Sequence, residues 1–274
     1  MNSASQPDYV LGHSANELRR LEEQARFFGD LTRIVFREAG LAEGMRVLDV
    51  GSGAGDVSLL AGTFVGPTGE VVGVDRSEEA VKGANDRARQ NNANHVRFTT
   101  GDAAAMNFEL KFDAVVGRLV LMYHSRPAEM LRHLAKQLRP GGLLIFHEID
   151  TGHLVAQPSC PLYDQITSMI VQTLRAAGAD QMIGLKLHEI YVEAGLPPPR
   201  ILITGRADGG PDTSAYDVFV DLVRTLLPAA EKFGIVKPAE INLATLANDL
   251  RDQVCKGGGV ILSPLLVGAW SARS

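Results

Sequence analysis

The sequence predicts an α/β protein built on a doubly wound, mostly parallel sheet with helices on both faces. Three observations predict it. Short apolar runs alternate with helix-period segments between residues 46 and 150. The runs are continuously apolar, as in strands covered on both faces. A glycine-rich turn, inside VLDVGSGAGDVSLLAG at 47–62, joins the first run to a helix, the punctuation of a βαβ unit.

Taken in order, Leu18, Leu21, Ala25, Phe28, Leu31 and Val35 recur at three- and four-residue steps. They predict an amphipathic helix from Asn16 to Ala39, or two with a break near Gly29 and Asp30. Arg46 to Val50 reads as a strand and Gly55 to Thr63 as a helix. Val71 to Val74 is a second strand, Ser77 to Arg89 a helix, and His95 to Thr99 a third strand. Phe112 to Val116 is the fourth strand. Pro127 opens a helix expected to reach Leu138, with proline in its first turn. Arg139-Pro140-Gly141-Gly142 should stop it before a fifth strand, Leu143 to Phe146.

After Asp150 the rhythm changes. Residues 160–195 are mostly helical, with Ile166, Met169, Ile170 and Leu174 at helical spacing. Pro197-Pro198-Pro199 breaks the chain before a strand at Arg200 to Thr204. Helices at Ser214 to Leu227 and Leu243 to Val254 precede a last strand, Val260 to Trp270. The expected organisation is an N-terminal helical cap (1–44), a ligand-binding core (45–150), and the remainder of the sheet (151–274). Helical lid insertions fall in that last part, at about 151–195 and 214–254.

The 274 residues carry a formal net charge of −5, which speaks against a nucleic-acid partner. Cys160 and Cys255 are too few and too far apart for a disulfide framework or a metal motif. No apolar run reaches the roughly 18 residues of a membrane span. The opening MNSASQPDYV has no basic segment followed by an apolar core, so a cytoplasmic location is expected.

A strand that ends in glycines and feeds a helix lets backbone approach a ligand closely. Asp49 followed by Gly51, Ser52, Gly53, Ala54 and Gly55 is not the dinucleotide fingerprint, because the third glycine comes one residue early. Asp56 stands where that fingerprint wants glycine. Flanking acids suit a cationic or zwitterionic ligand. Asp75 ends the second strand, where a carboxylate can accept from both hydroxyls of a ribose. Arg76 follows it.

Asp49 with G-x-G-x-G resembles the first motif of the class I S-adenosylmethionine-dependent methyltransferases. Gly101-Asp102-Ala103, Phe112 to Val116 and Leu138 to Leu143 resemble later segments of that family in the same order, over residues 45–150. The resemblance implies a Rossmann-like, seven-stranded fold and S-adenosyl-L-methionine as cofactor. It implies that the glycine turn packs on the methionine part and ribose, and that Asp102 meets the adenine amino group. Tyr9-Val10-Leu11-Gly12-His13 and the segment through Gln24 look like the leader of a small-molecule, UbiE-like subgroup. Tyr9 and Gln24 would then approach the methionine end and Arg20 its carboxylate.

Methyl transfer is an in-line displacement that needs alignment and exclusion of water, with a base only for a protonated nucleophile. Candidates lie beyond the fourth and fifth strands. Arg118, placed with the cofactor set, Tyr123 and His124 follow strand four, and Glu148 ends strand five. Tyr123, His124 and Glu148 are the expected catalytic residues, with Glu148 facing the crevice. Alternation sends His147 to the opposite face, so at most one of the two is useful there. Gly117-Arg118 leaves no carboxylate set for a fixed metal. In the lid, Met169, Leu174, Phe219 and Leu226 are expected to shape a pocket for a small, partly apolar acceptor. A nicotinamide-dependent oxidoreductase and a non-catalytic S-adenosylmethionine-binding protein are the alternatives. The oligomeric state stays open, a homodimer included.

Overall fold

The structure is a computed structural model that describes residues 15–273, with side chains from residue 27 onward. Five parallel strands form its centre: β1 (Arg46–Val50), β2 (Glu70–Asp75), β3 (Val96–Thr100), β4 (Phe112–Arg118) and β5 (Leu138–Asp150). A two-residue β6 (Ala156–Gln157) follows, then β7 (Arg200–Thr204), β8 (Ala207–Gly209), β9 (Val260–Leu262) and β10 (Leu265–Ala272). The main sheet has the order β3-β2-β1-β4-β5-β10-β7, with β10 antiparallel to both of its neighbours. The chain reverses strand order between β1 and β4, which opens a crevice at the carboxyl ends there.

Each central strand is buried on both sides, and alternation splits its residues between two cores. Val47, Val71, Ala114, Val116 and Ile145 meet Val35 and Phe36 of α1 (Ala15–Ala39), together with α2 (Asp56–Val65) and α3 (Glu78–Gln90). Leu48, Val72, Val115, Leu144 and Phe146 face the other core. That core is filled by α4 (Pro127–Ala135), α5 (Pro161–Ala176), α6 (Leu187–Glu193), α7 (Ala215–Lys232) and α8 (Leu246–Lys256).

Of the two readings of the first helix, the unbroken one holds: Phe27, Phe28 and Leu31 are all buried around Gly29, which outweighs the ~1 kcal/mol an interior glycine costs. Three details differ from the sequence expectation. Helix α4 stops at Ala135 because Leu138 already pairs with Phe112. Arg139-Pro140-Gly141-Gly142 lies inside β5 as a bulge, the register jumping from Phe112↔Leu138 to Ala114↔Leu143. Its free backbone is taken up by Arg273, which accepts from Gly141 N at 2.8 Å and donates to Gly142 O at 2.8 Å. The last expected strand is two, split at Ser263-Pro264: β10 joins the main sheet, and β9 joins β6 and β8 in a separate three-stranded sheet.

Candidate functional site

The glycine turn is held open by its own backbone. Gly51, Gly53 and Gly55 have φ of 67°, 50° and 88°, in the left-handed region that glycine adopts without strain. Gly51 N and Ser52 N both donate to Val74 O of β2, at 2.9 and 3.0 Å. A Cβ on Gly51 would stand 2.8 Å from Val120 Cγ2, and one on Gly55 would stand 2.7 Å from Phe98 Cζ. Arg87 of α3 clamps the far side, donating to Ala54 O at 2.5 Å and to Asp56 Oδ1 at 2.6 Å. Asp56, the acid in the fingerprint's glycine position, is therefore ion-paired.

Above these strand tips lies a cavity of about 340 Å³. The expected residues that line it are Gly51, Ser52 and Gly53 from the turn, Asp75 and Arg76 from β2, and Gly101, Asp102 and Ala103 after β3. Arg118, Tyr123 and His124 follow β4 there. Asp75 accepts from Gly53 N at 2.8 Å and from Ser77 N at 2.9 Å, so the second strand's acid also pins the glycine turn. Asp102 accepts from Ala104 N at 3.0 Å and pairs with Arg76 Nη2 at 2.8 Å across the mouth. Arg118 Nη1 donates to Thr32 Oγ1 of α1 at 3.3 Å. Burial lowers the Arg118 pKa, opposed by Asp56 and Asp49. Burial, then Arg76, holds the His124 imidazole below its ordinary range, with Asp102 opposing.

Other expected residues stand elsewhere. Asp49 is sealed at 1% exposure, and Ser58 Oγ of α2 donates to its Oδ2 at 2.6 Å. Burial pushes its carboxyl up to about 7, against Ser58 and Arg118. Gly55 is used for helix-on-sheet packing. Glu148 does not face the crevice: it is fully buried behind the wall and accepts from Val120 N and Leu121 N at 2.9 and 2.8 Å. His147 does not line the cavity either; its Nδ1 lies 3.2 Å from Thr32 Oγ1. Strand alternation missed this because both faces of β5 are covered. Of the four lid residues, only Leu174 lines the cavity, while Met169, Phe219 and Leu226 are core among the helices. Tyr9 lies outside the described residues, as do the side chains of Arg20 and Gln24.

The sequence reading missed much of the apolar wall: Phe28 of α1, Met122, Met130, Ile149, Leu222 and Pro264. Phe28 had a signal, since it sits on the helix's apolar stripe. Pro264 had none, because its place depends on the strand split. Among the described residues no three His, Cys, Asp or Glu side chains form a metal-binding group, and no helix is long and apolar enough to cross a membrane.

Comparison with known proteins adds to this geometry. The chain is 32% identical over 136 residues to the ubiquinone/menaquinone biosynthesis C-methyltransferase UbiE of Ectopseudomonas mendocina, covering 49% of this chain and 51% of that protein. It is 29% identical to the demethylmenaquinone methyltransferase of Staphylococcus aureus over 49% and 53% of the two chains. It thus spans about half the length of these curated relatives. The crystal structure of the YcgJ protein of Bacillus subtilis shares the fold, with a TM-score of 0.57 and 19% identity over 88% of this chain and 97% of that one. Residues 41–195 match the family described as a methyltransferase domain, more than half of the sequence. The chain belongs to the methyltransferase domain family.

Proposed function

We propose that this protein binds S-adenosylmethionine in the cavity and transfers its methyl group to a small, largely apolar molecule. The observation that carries the reading is that the glycine turn, Asp75 and Asp102 line one cavity together with a larger set of apolar side chains. The residues present fit the cofactor. Each Asp75 oxygen already accepts one backbone N–H yet keeps acceptor capacity for ribose hydroxyls. Val74, Ala80 and Ala103 offer an apolar bed for a purine, and Asp102 a polar edge beside it. Gly51 and Gly53 leave room for backbone contact, and Arg118 is a cation for the methionine carboxylate.

The bound cofactor supplies an electrophilic methyl on a sulfonium, and displacement by the acceptor leaves S-adenosylhomocysteine. The chain's part is to align and to dry the site. Phe28, Met122, Met130, Ile149, Leu174 and Leu222 exclude water and select an apolar acceptor. Tyr123 and His124 are the polar groups next to that wall, and His124, held neutral, is able to take an acceptor proton. The described part of the N-terminal cap, residues 15–44, covers the sheet, 45–150 acts as the cofactor core and 151–273 as the sheet remainder and lid. The free thiols of Cys160 and Cys255 fit a reducing, cytoplasmic setting.

Calorimetric titration tests the cofactor, and label transfer from methyl-labelled S-adenosylmethionine into metabolite extracts tests the reaction. Binding of S-adenosylhomocysteine but not NAD, with a labelled small product, is expected. A preference for NAD overturns the reading.

A further inference from the structure

We infer that Glu148 is a positioning residue: its buried carboxylate fixes the turn after β4 so that Tyr123 and His124 stand in the cavity wall. The importance of that wall rests on the methyltransferase reading, while the link itself rests on geometry. Leu119 has φ of 57°, a left-handed conformation that is strained for a residue with a Cβ. Such strain persists only where the surroundings over-determine it, and it concentrates at functional sites.

The surroundings here are explicit. Leu119 N donates to His147 O at 3.0 Å, which ties the strained residue to β5. The reversed backbone then aims the next two N–H groups, Val120 and Leu121, at one oxygen, Glu148 Oε1. The 3-10 turn Leu121–Tyr123 closes with Tyr123 N donating to Val120 O at 3.2 Å and His124 N to Leu121 O at 2.9 Å. Leu119, Val120, Met122, Tyr123 and His124 all line the cavity, and Val120 abuts Gly51 of the glycine turn. One carboxylate thus holds the segment that forms this stretch of the cavity wall.

The other oxygen makes the role specific. Glu148 Oε2 is buried and has no hydrogen-bond partner among the described residues. Tyr191, an ionisable neighbour on that face, gives its hydroxyl to Leu144 O and Ala269 O. A buried carboxyl with one oxygen idle is costly where an apolar side chain would pack. What that cost secures is the set of backbone N–H groups of the turn, Val120 and Leu121 foremost and Met122 after them. A proton-transfer role is not served by this placement, since the carboxyl is behind the wall.

The test compares Glu148→Gln, which keeps an acceptor oxygen, with Glu148→Met, which keeps the volume but not the acceptor. The readout is the His124 imidazole titration by NMR, identified by its loss in His124→Gln. The Gln variant is expected to keep the low titration point, and the Met variant to return it toward that of an exposed imidazole while thermal unfolding stays cooperative. An unmoved His124 in folded Glu148→Met, or an equal disturbance in both variants, overturns the inference. If Glu148→Met does not fold, amide exchange in the unaltered protein decides: slow exchange at Val120 and Leu121 supports the inference, and exchange as fast as in an open loop overturns it. Calorimetry with S-adenosylhomocysteine runs alongside. Absence of binding there sinks the methyltransferase reading and leaves the His124 result standing.

Discussion

Asp75 and Asp102, on the tips of β2 and β3, and Asp49 and Glu148, on β1 and β5, are acids near one end of one sheet, yet their surroundings divide them. The first two are half-buried on the cavity, hold backbone or arginine partners, and keep acceptor capacity. The second two are 1% and 0% exposed, and burial pushes both up to about 7. The difference teaches that at a strand's carboxyl end the cover decides the role. Where the crevice opens, the carboxylate is free to meet a ligand. Where helices and turns close over it, the carboxylate organises protein.

The largest effect that would break this comparison is a pH dependence of stability. Burial raises Glu148, opposed by the N–H groups of Leu121, Val120 and Met122. A carboxyl with a folded pKa above its unfolded one favours folding most below about 4.5, and that advantage is lost as pH rises through about 7. Against Glu148→Gln, the unaltered protein is expected to lose roughly 2–3 kcal/mol of unfolding free energy between pH 5 and 8. Asp49 and His147 cancel in that difference. A flat difference in urea unfolding would show that burial does not govern Glu148.

Next comes the ligand side. Asp75→Ala is expected to weaken S-adenosylhomocysteine binding about 10-fold or more, roughly 1.4 kcal/mol, because ribose and Gly53 N lose their acceptor together. Unchanged affinity by calorimetry would remove Asp75 from the cofactor site. The smallest effect sharpens the contrast. The Arg76–Asp102 pair is about half exposed, so Arg76→Ala is expected to change stability by less than ~0.5 kcal/mol. A larger loss in thermal unfolding would place that pair with the buried acids.

What was legible in the sequence follows from the range of its signals. β1, β2 and the turn between Val50 and Asp56 are written locally, in apolar runs and glycines, and they fall where expected. Gly51, Ser52, Gly53, Asp75 and Arg118 fall on the cavity for the same reason, that a strand's end is its own marker, while Asp102 was expected there from the family resemblance. Gly141 and Gly142 read as a helix stop, yet Arg273, far along the chain, pairs with them and keeps them in β5. The small sheet was invisible because strands of two and three residues carry no periodicity. Glu148 and Asp49 were expected at the ligand from different signals, a strand's carboxyl end for Glu148 and the resemblance of the first motif for Asp49, and neither signal tells what roofs a side chain.

Where the chain passes from β9 to β10 at Ser263-Pro264, it leaves one sheet, touches the cavity and enters another. The pocket's outline is therefore anchored to two frameworks that exchange no strand pairing. A replacement in β8 or β9 that tilts the lesser framework drags Pro264 with it. The shape of the pocket can in this way drift under mutation far from any residue that lines it.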